Sequence, residues 1–291
     1  MPATRAAVPE LGVLPVTFGR AFTAGVLALA VLAWKRERLP KRHELLPLAL
    51  VAIGVAFGFP LCTAVALAEV PSTHATVIIG LVPAATALYA VMRNGERPSV
   101  GFWLAACAGA VAVVVFGASQ GSFHVAGADL WLFAAVAFAA LGYAEGARLS
   151  GSLGGWRVIS WALVIGLPFS LAGLVWAWPA AGLHPGPRAV FGFGYVSLIS
   201  MYFAFFAWYR GLSSGSIAQA SQIQLIQPVL SLGWAALWLG EEVGATTLLA
   251  SLVVLACAAW ARSARVRAPT SASAPRIRKS CARAACARSP S

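Results

Sequence analysis

Long apolar runs alternate with short polar connections along most of the chain. Nine runs approach the roughly 20 residues that a membrane-spanning helix needs. They cover 14–34, 45–68, 72–92, 99–118, 129–148, 158–178, 189–209, 216–239 and 244–261. The connections carry turn residues, as in RNGERPS at 93–99 and WPAAGLHPGPR at 178–188. No stretch repeats the polar–apolar alternation of transmembrane barrel strands. The pattern predicts an all-α integral membrane protein that crosses the bilayer many times.

Composition strengthens this reading. The chain is 60% hydrophobic and 10% charged, with a mean hydropathy of +0.81. A soluble protein carries about 25% charged residues. The net charge of +12 does not point to nucleic acid, because the basic residues sit in short clusters between apolar runs. Such clusters orient membrane proteins. Of the 21 Lys and Arg residues, all except Arg5, Arg20 and Arg188 fall on one face, which the positive-inside rule makes cytoplasmic. The C-terminus is then expected in the cytoplasm, on the inner membrane of a bacterium. Residues 262–291, rich in Ala, Ser, Pro and Arg, read as a disordered basic cytoplasmic tail. The first apolar run has no basic stretch before it and no small-residue cleavage site after it, so no cleavable signal is expected. The five cysteines form no CxxC pair and no zinc-spaced cluster, so neither metal nor other cofactor is expected.

Two segments repeat each other. In STHATVIIGLVPAATALYAVMRNGE (72–96) and IAQASQIQLIQPVLSLGWAALWLGE (217–241), Pro83 and Pro228 each precede a Gly-Glu pair at the same distance. Ala75 and Ala220 occupy matching positions before the prolines. The copies lie an odd number of spans apart, so they cross in opposite directions, as in the inverted repeats of many secondary transporters. Pro83 and Pro228 are expected to bend their helices around a central cavity.

With GYAEGARLSG (142–151), WRVISWALVIGLP (156–168), YFAFFAWYRGL (202–212) and QASQIQLIQPVLS (219–231), the chain resembles the EamA family of the drug/metabolite transporter superfamily. The resemblance covers residues 2 to about 261. It implies ten helices in two inverted five-helix halves, with both termini cytoplasmic. The first repeat then spans 1–118 and the second 119–261. Residues 2–14 look like the second half of the family's first helix, so that helix is expected to be incomplete, leaving about nine complete spans. A start placed too far downstream, a truncated chain or a genuine nine-helix member would each account for this.

Ionisable groups inside a bilayer cost about 2.5–3.5 kcal/mol on insertion scales and usually mark a pathway or a structural pair. Two roles fit Glu145. It is either a cavity carboxylate for a proton or an amine, beside Tyr143, or the partner of Arg148 one turn away. Arg5 and Arg20 could hold a substrate carboxylate through two parallel hydrogen bonds. For Arg20, snorkelling to the outer headgroups or helix pairing is favoured. Gln219, Gln222, Gln224 and Gln227 spread over an arc of about 200° on one helix, which must face protein or water. Gln222 and Gln227 are the leading cavity candidates. Tyr202 and Trp161 could reach the cavity, where rings suit apolar or cationic solutes. Trp208, Tyr209 and Arg210 fit the interfacial belt, and His74 and Glu69 read as solvated loop groups.

No lysine follows a glycine-rich loop, and neither a GxSxG elbow nor an HExxH helix occurs. An enzyme is therefore not expected. The expected function is a secondary transporter working by alternating access and drawing on an ion or solute gradient, such as that of protons. The resemblance implies export of amino acids, amines or related metabolites. The expected partners are a small-molecule substrate and membrane lipid, and either a monomer or a homodimer fits. A non-transporting membrane scaffold or accessory subunit is the alternative.

Overall fold

Lipid offers the backbone no hydrogen-bond partners, so apolar runs satisfy their amides internally as helices. The computed structural model describes residues 2–95, 97–119, 127–178, 185–225, 244–264 and 266–267, together with Leu230, Trp234 and Leu237. The helices are α1 Pro2–Leu11, α2 Val13–Trp34, α3 Arg42–Glu69, α4 Ser72–Ile79, α5 Val82–Asn94 and α6 Val100–Ser119. They continue as α7 Gly127–Leu153, α8 Gly155–Ala177, α9 Pro187–Leu212, α10 Ile217–Ser221 and α11 Ala245–Ser263. A 3₁₀ turn, Gln222–Leu225, continues α10. Among the described residues α2, α3, α7, α8 and α9 are long and apolar enough to cross a membrane. The repeat helix at 72–94 breaks at Gly80 and Leu81, and Pro83 stands in the first turn of α5. There its missing N–H costs nothing. Its counterpart Pro228 lies outside the described residues.

The internal repeat is visible in the backbone. Gly12 starts α2 with φ +81°, and Gly154 starts α8 with φ +84°, a region in which side chains are strained. Both glycines let one helix turn directly into the next. A π-helical stretch widens α3 at Ala52–Gly58, and another widens α9 at Tyr195–Phe203. Such stretches leave carbonyls poorly paired and often sit near functional sites.

Some helices pack on their repeat-mates of the other half, α2 on α8, α6 on α11 and α5 on α10, while others cross to a different helix, α3 and α5 to α7 and α1 to α9. This is the pattern of a pseudo-two-fold axis. Small residues bring these helices close. A Cβ on Gly54 would lie 2.6 Å from the Phe138 carbonyl, and one on Gly25 would lie 3.2 Å from that of Leu163. The main core gathers Ala24, Ala28, Val51, Val55, Ala139, Tyr143, Ile159, Leu163 and Tyr202 between the halves.

Two-residue strands β1 Arg97–Pro98 and β2 Val266–Arg267 pair antiparallel. They tie the segment after α5 to the segment after α11. The same end of the molecule holds Arg157, which grips Glu37 through Nε–Oε2 at 2.8 Å and Nη2–Oε1 at 3.0 Å. At the opposite end Arg5 donates to the Leu67 and Ala68 carbonyls in the last turn of α3. The Gly186 N–H donates to Glu10 at 2.6 Å.

Candidate functional site

Three buried or half-buried polar layers lie along the axis, and they differ in how well their groups are satisfied. The layer at the Arg157 end is built on Glu145, whose side chain is fully buried. Glu145 sits eight residues before the end of α7, on the face toward α5. Its Oε1 accepts from Tyr89 Oη at 3.2 Å and Arg93 Nε at 3.0 Å. Its Oε2 accepts from Arg148 Nε at 3.1 Å and Nη2 at 2.7 Å. Four donors saturate the carboxylate, and the two half-exposed arginines keep their charge near water. Tyr89 and Arg93 come from the first half and Glu145 and Arg148 from the second, so the cluster bridges the halves.

The opposite layer holds His74 at the start of α4 and Asp129 at the start of α7. His74 Nε2 lies 2.8 Å from Asp129 Oδ1, with both side chains largely buried. The expectation that His74 is a solvated loop group is corrected here, because α7 brings a carboxylate against it.

A third group, starting two residues before Glu145 on α7, is less completely paired. Arg20, on α2, is only 6% exposed, so it does not reach out to the headgroups. No hydrogen bond or ion pair to Arg20 exists among the described residues, and its Nε is buried without a partner. It lies within electrostatic range of Tyr143 on α7. The Tyr143 hydroxyl accepts from Gln224 Nε2 at 3.4 Å. The Tyr143 ring meets Trp208 edge-on at 5.4 Å and Phe205 at 6.1 Å, both on α9. Among the described residues the indole Nε1 of Trp208 is also buried without a partner. Burying an uncompensated ion costs several kcal/mol, by an order-of-magnitude estimate.

Close packing holds this middle group in place. The Tyr209 hydroxyl donates to the Gly142 carbonyl at 3.0 Å, and its ring lies where a Cβ on Gly146 would stand, 2.2 Å away. Tyr202 is fully buried and shares a 3.0 Å hydrogen bond with Ser160. Trp161 is half-buried against the core.

The structure therefore brings Tyr143 and Gln224 into contact, leaves Arg20 buried within electrostatic range of Tyr143, and sends Glu145 to one end and Arg5 to the other. The side chains of Gln219, Gln222 and Gln227 lie outside the described residues. Trp208 was missed as a site residue because a tryptophan beside Tyr209 and Arg210 near a span end reads as belt. The available signal was its place three residues after Phe205, on one helical face. Arg93 was missed as a loop charge, and its partner Glu145 is far away in sequence. Among the described residues no three His, Cys, Asp or Glu side chains gather as metal ligands would.

The EamA-like transporter family matches residues 1–118 and 126–262, one match for each half. This chain belongs to the EamA-like transporter family. It is 44% identical over 262 residues to an uncharacterized transporter of Bacillus subtilis (strain 168), YdeK, across 90% of this chain and 91% of that one. A solved crystal structure aligns with 89% of this chain and 90% of its own at a TM-score of 0.65. At 19% identity that likeness is one of fold alone. An EamA-family chain is a multi-pass membrane transporter, and the three layers above are the polar groups that its two halves enclose.

Proposed function

We propose that this EamA-family chain is a secondary transporter that moves a small metabolite, an amino acid, an amine or a related compound, outward across a bacterial inner membrane by alternating access. The observation that carries the reading is the middle group. Tyr143 of the second half contacts Trp208 and Gln224, and Arg20 of the first half lies buried within electrostatic range of Tyr143. A site between the halves is exposed to one side and then the other as they rock. Gln219, Gln222 and Gln227 stand on the same helix as Gln224 and belong to the proposed lining. The end layers serve as closures. The Glu145 cluster parts when the site opens at its end, and the His74–Asp129 pair parts when it opens at the other.

The basic end, with Arg93, Arg148, Arg157 and Arg267, is assigned to the cytoplasm by the positive-inside rule. A proton gradient is the proposed driving force. The saturated carboxylate favours Glu145 as a closure over Glu145 as the proton carrier.

Inside-out vesicles enriched in the protein test the reading with labelled amino acids and amines, with and without an imposed proton gradient. Gradient-dependent accumulation above that of vesicles lacking the protein is expected. Accumulation that ignores the gradient removes the proton coupling. An absence of accumulation for every compound overturns the transporter reading for these substrate classes.

A further inference from the structure

We infer that the central site takes a solute carrying a single carboxylate, which docks on the Arg20 guanidinium while its apolar body lies against Tyr143, Trp208 and Phe205. This rests on the transporter reading and narrows it, because it excludes amines that lack an acid group.

The argument begins with charge. Each of the other ionised side chains in the polar layers has a partner. Glu145 is held by Arg93 and Arg148, Glu37 by Arg157, and Asp129 by His74. Glu10 and Glu44 accept backbone N–H groups, from Gly186 and Lys41. Glu69 is exposed at the end of α3. No carboxylate among the described residues pairs with Arg20, although Arg20 is more than nine-tenths buried. A structural arginine in this setting would be matched by a carboxylate or by helix-end carbonyls, as Arg157 and Arg5 are in this same molecule. An arginine left without either keeps its forked donors for a planar anion, and a carboxylate fits that fork with two parallel hydrogen bonds.

The surroundings then limit the ligand. Arg93, Arg148 and Arg157 are occupied, so one positive charge is available and one negative charge balances it. The buried Trp208 Nε1–H, on the ring packed against Tyr143, is a second donor suited to a carbonyl or carboxylate oxygen. The rest of the group is aromatic, with Phe205 and Trp208 packed on the Tyr143 ring. It favours an apolar or aromatic body over a polyanion or a sugar phosphate.

The test uses the full chain in detergent and matched trios of probes: an amino acid, its amide, and the amine left after decarboxylation, for both leucine and phenylalanine. Simple aromatic and aliphatic carboxylic acids extend the panel. Binding is read by thermal stabilisation. The acids are expected to stabilise the protein while their amides and amines do not. Arg20→Gln is expected to weaken acid binding at least about 30-fold, the loss typical when one partner of a buried charge pair is removed, with Arg20→Lys in between. In the absence of probe, Arg20→Gln is expected to melt no lower than the parent, because it removes a charge that nothing among the described residues compensates. A structural arginine would give the opposite result.

Equal stabilisation by acid and amine, or undiminished acid binding by a folded Arg20→Gln protein, overturns the inference. So does a panel in which no acid binds. A parallel counterflow measurement, with proteoliposomes loaded with bacterial metabolite extract and read by mass spectrometry, separates the two levels. Movement of compounds that all lack a carboxylate overturns this inference alone. No movement above protein-free liposomes overturns the transporter reading and this inference with it.

Discussion

In the first half Gly12, φ +81°, starts α2, and a π-helical stretch opens at Ala52 of α3. In the second half Gly154, φ +84°, starts α8, and a π-helical stretch opens at Tyr195 of α9. The side chains hung on these matched backbones differ. Eight residues after Gly12 stands Arg20, and eight residues after Gly154 stands Ala162. Thirteen residues after Tyr195 stands Trp208, and thirteen after Ala52 stands Val65. Gln224, measured by the repeat that aligns Pro83 with Pro228, answers to Ile79. The symmetric features are those of backbone geometry, which both halves need in order to pack. The asymmetric ones are polar groups, which a solute needs on only one wall. A symmetric scaffold thus carries an asymmetric site.

Placing an arginine on the other half breaks that asymmetry and should have the largest effect. Ala162 is fully buried against the core. Ala162→Arg strands a second charge, at a cost of several kcal/mol by order of magnitude. Folded protein should fall to a small fraction of the parent, as seen by fluorescence-detected size exclusion; a normal yield would mean that the second half tolerates a site of its own.

The scaffold side of the comparison is tested at Gly54. Gly54→Leu pushes a side chain into the Phe138 backbone and should cost about 1–3 kcal/mol or more through overpacking. Thermal melting in detergent reads this, and an unchanged melting temperature would show that the π-helical stretch absorbs the extra bulk.

Glu145→Gln sharpens the assignment of the cluster as a closure. It loosens Arg93 and Arg148, but both are half-exposed and can turn to water, so the loss of stability should stay near about 1 kcal/mol. Introduced cysteines beside Arg93 should label faster with a membrane-impermeant thiol reagent applied from that side. Unchanged labelling would return Glu145 to a purely structural role. The smallest effect is expected from Glu37→Gln, which removes a partly exposed pair with Arg157 and should shift stability by about 0–1 kcal/mol. A large loss there would mark that pair as a closure of equal standing.

The spans and the repeat were legible from one-dimensional patterns. Apolar run length reports helix length directly, and α2, α3, α7, α8 and α9 fall on five of the nine runs. The Ala–Pro–Gly–Glu spacing exposed the repeat because it survives as sequence identity. The π-helical stretches left no such mark, since they depend on what packs beside them. At the site, Tyr143 and Gln224 were legible as polar residues in apolar helices. Arg20 was legible as a charge but its burial was not, since a residue near the start of a span can reach the headgroups unless neighbours cover it. His74 and Trp208 were passed over because each has a common surface role, and only contacts distant in the chain cancel that role.

Run lengths, basic clusters and an internal repeat were enough to establish that this chain lies in a membrane, in two inverted halves, with one face positive. Those properties follow from solvent and charge acting on each segment separately. Which polar groups end up satisfied was a matter of packing. Beyond Arg148, the neighbour one turn away that the sequence suggested, Glu145 takes an arginine 52 residues away, Asp129 meets a histidine 55 residues away, and Arg20 has no hydrogen-bonded partner among the described residues. Pairing of that kind depends on which helix faces are pressed together, and no local pattern in the chain encodes it.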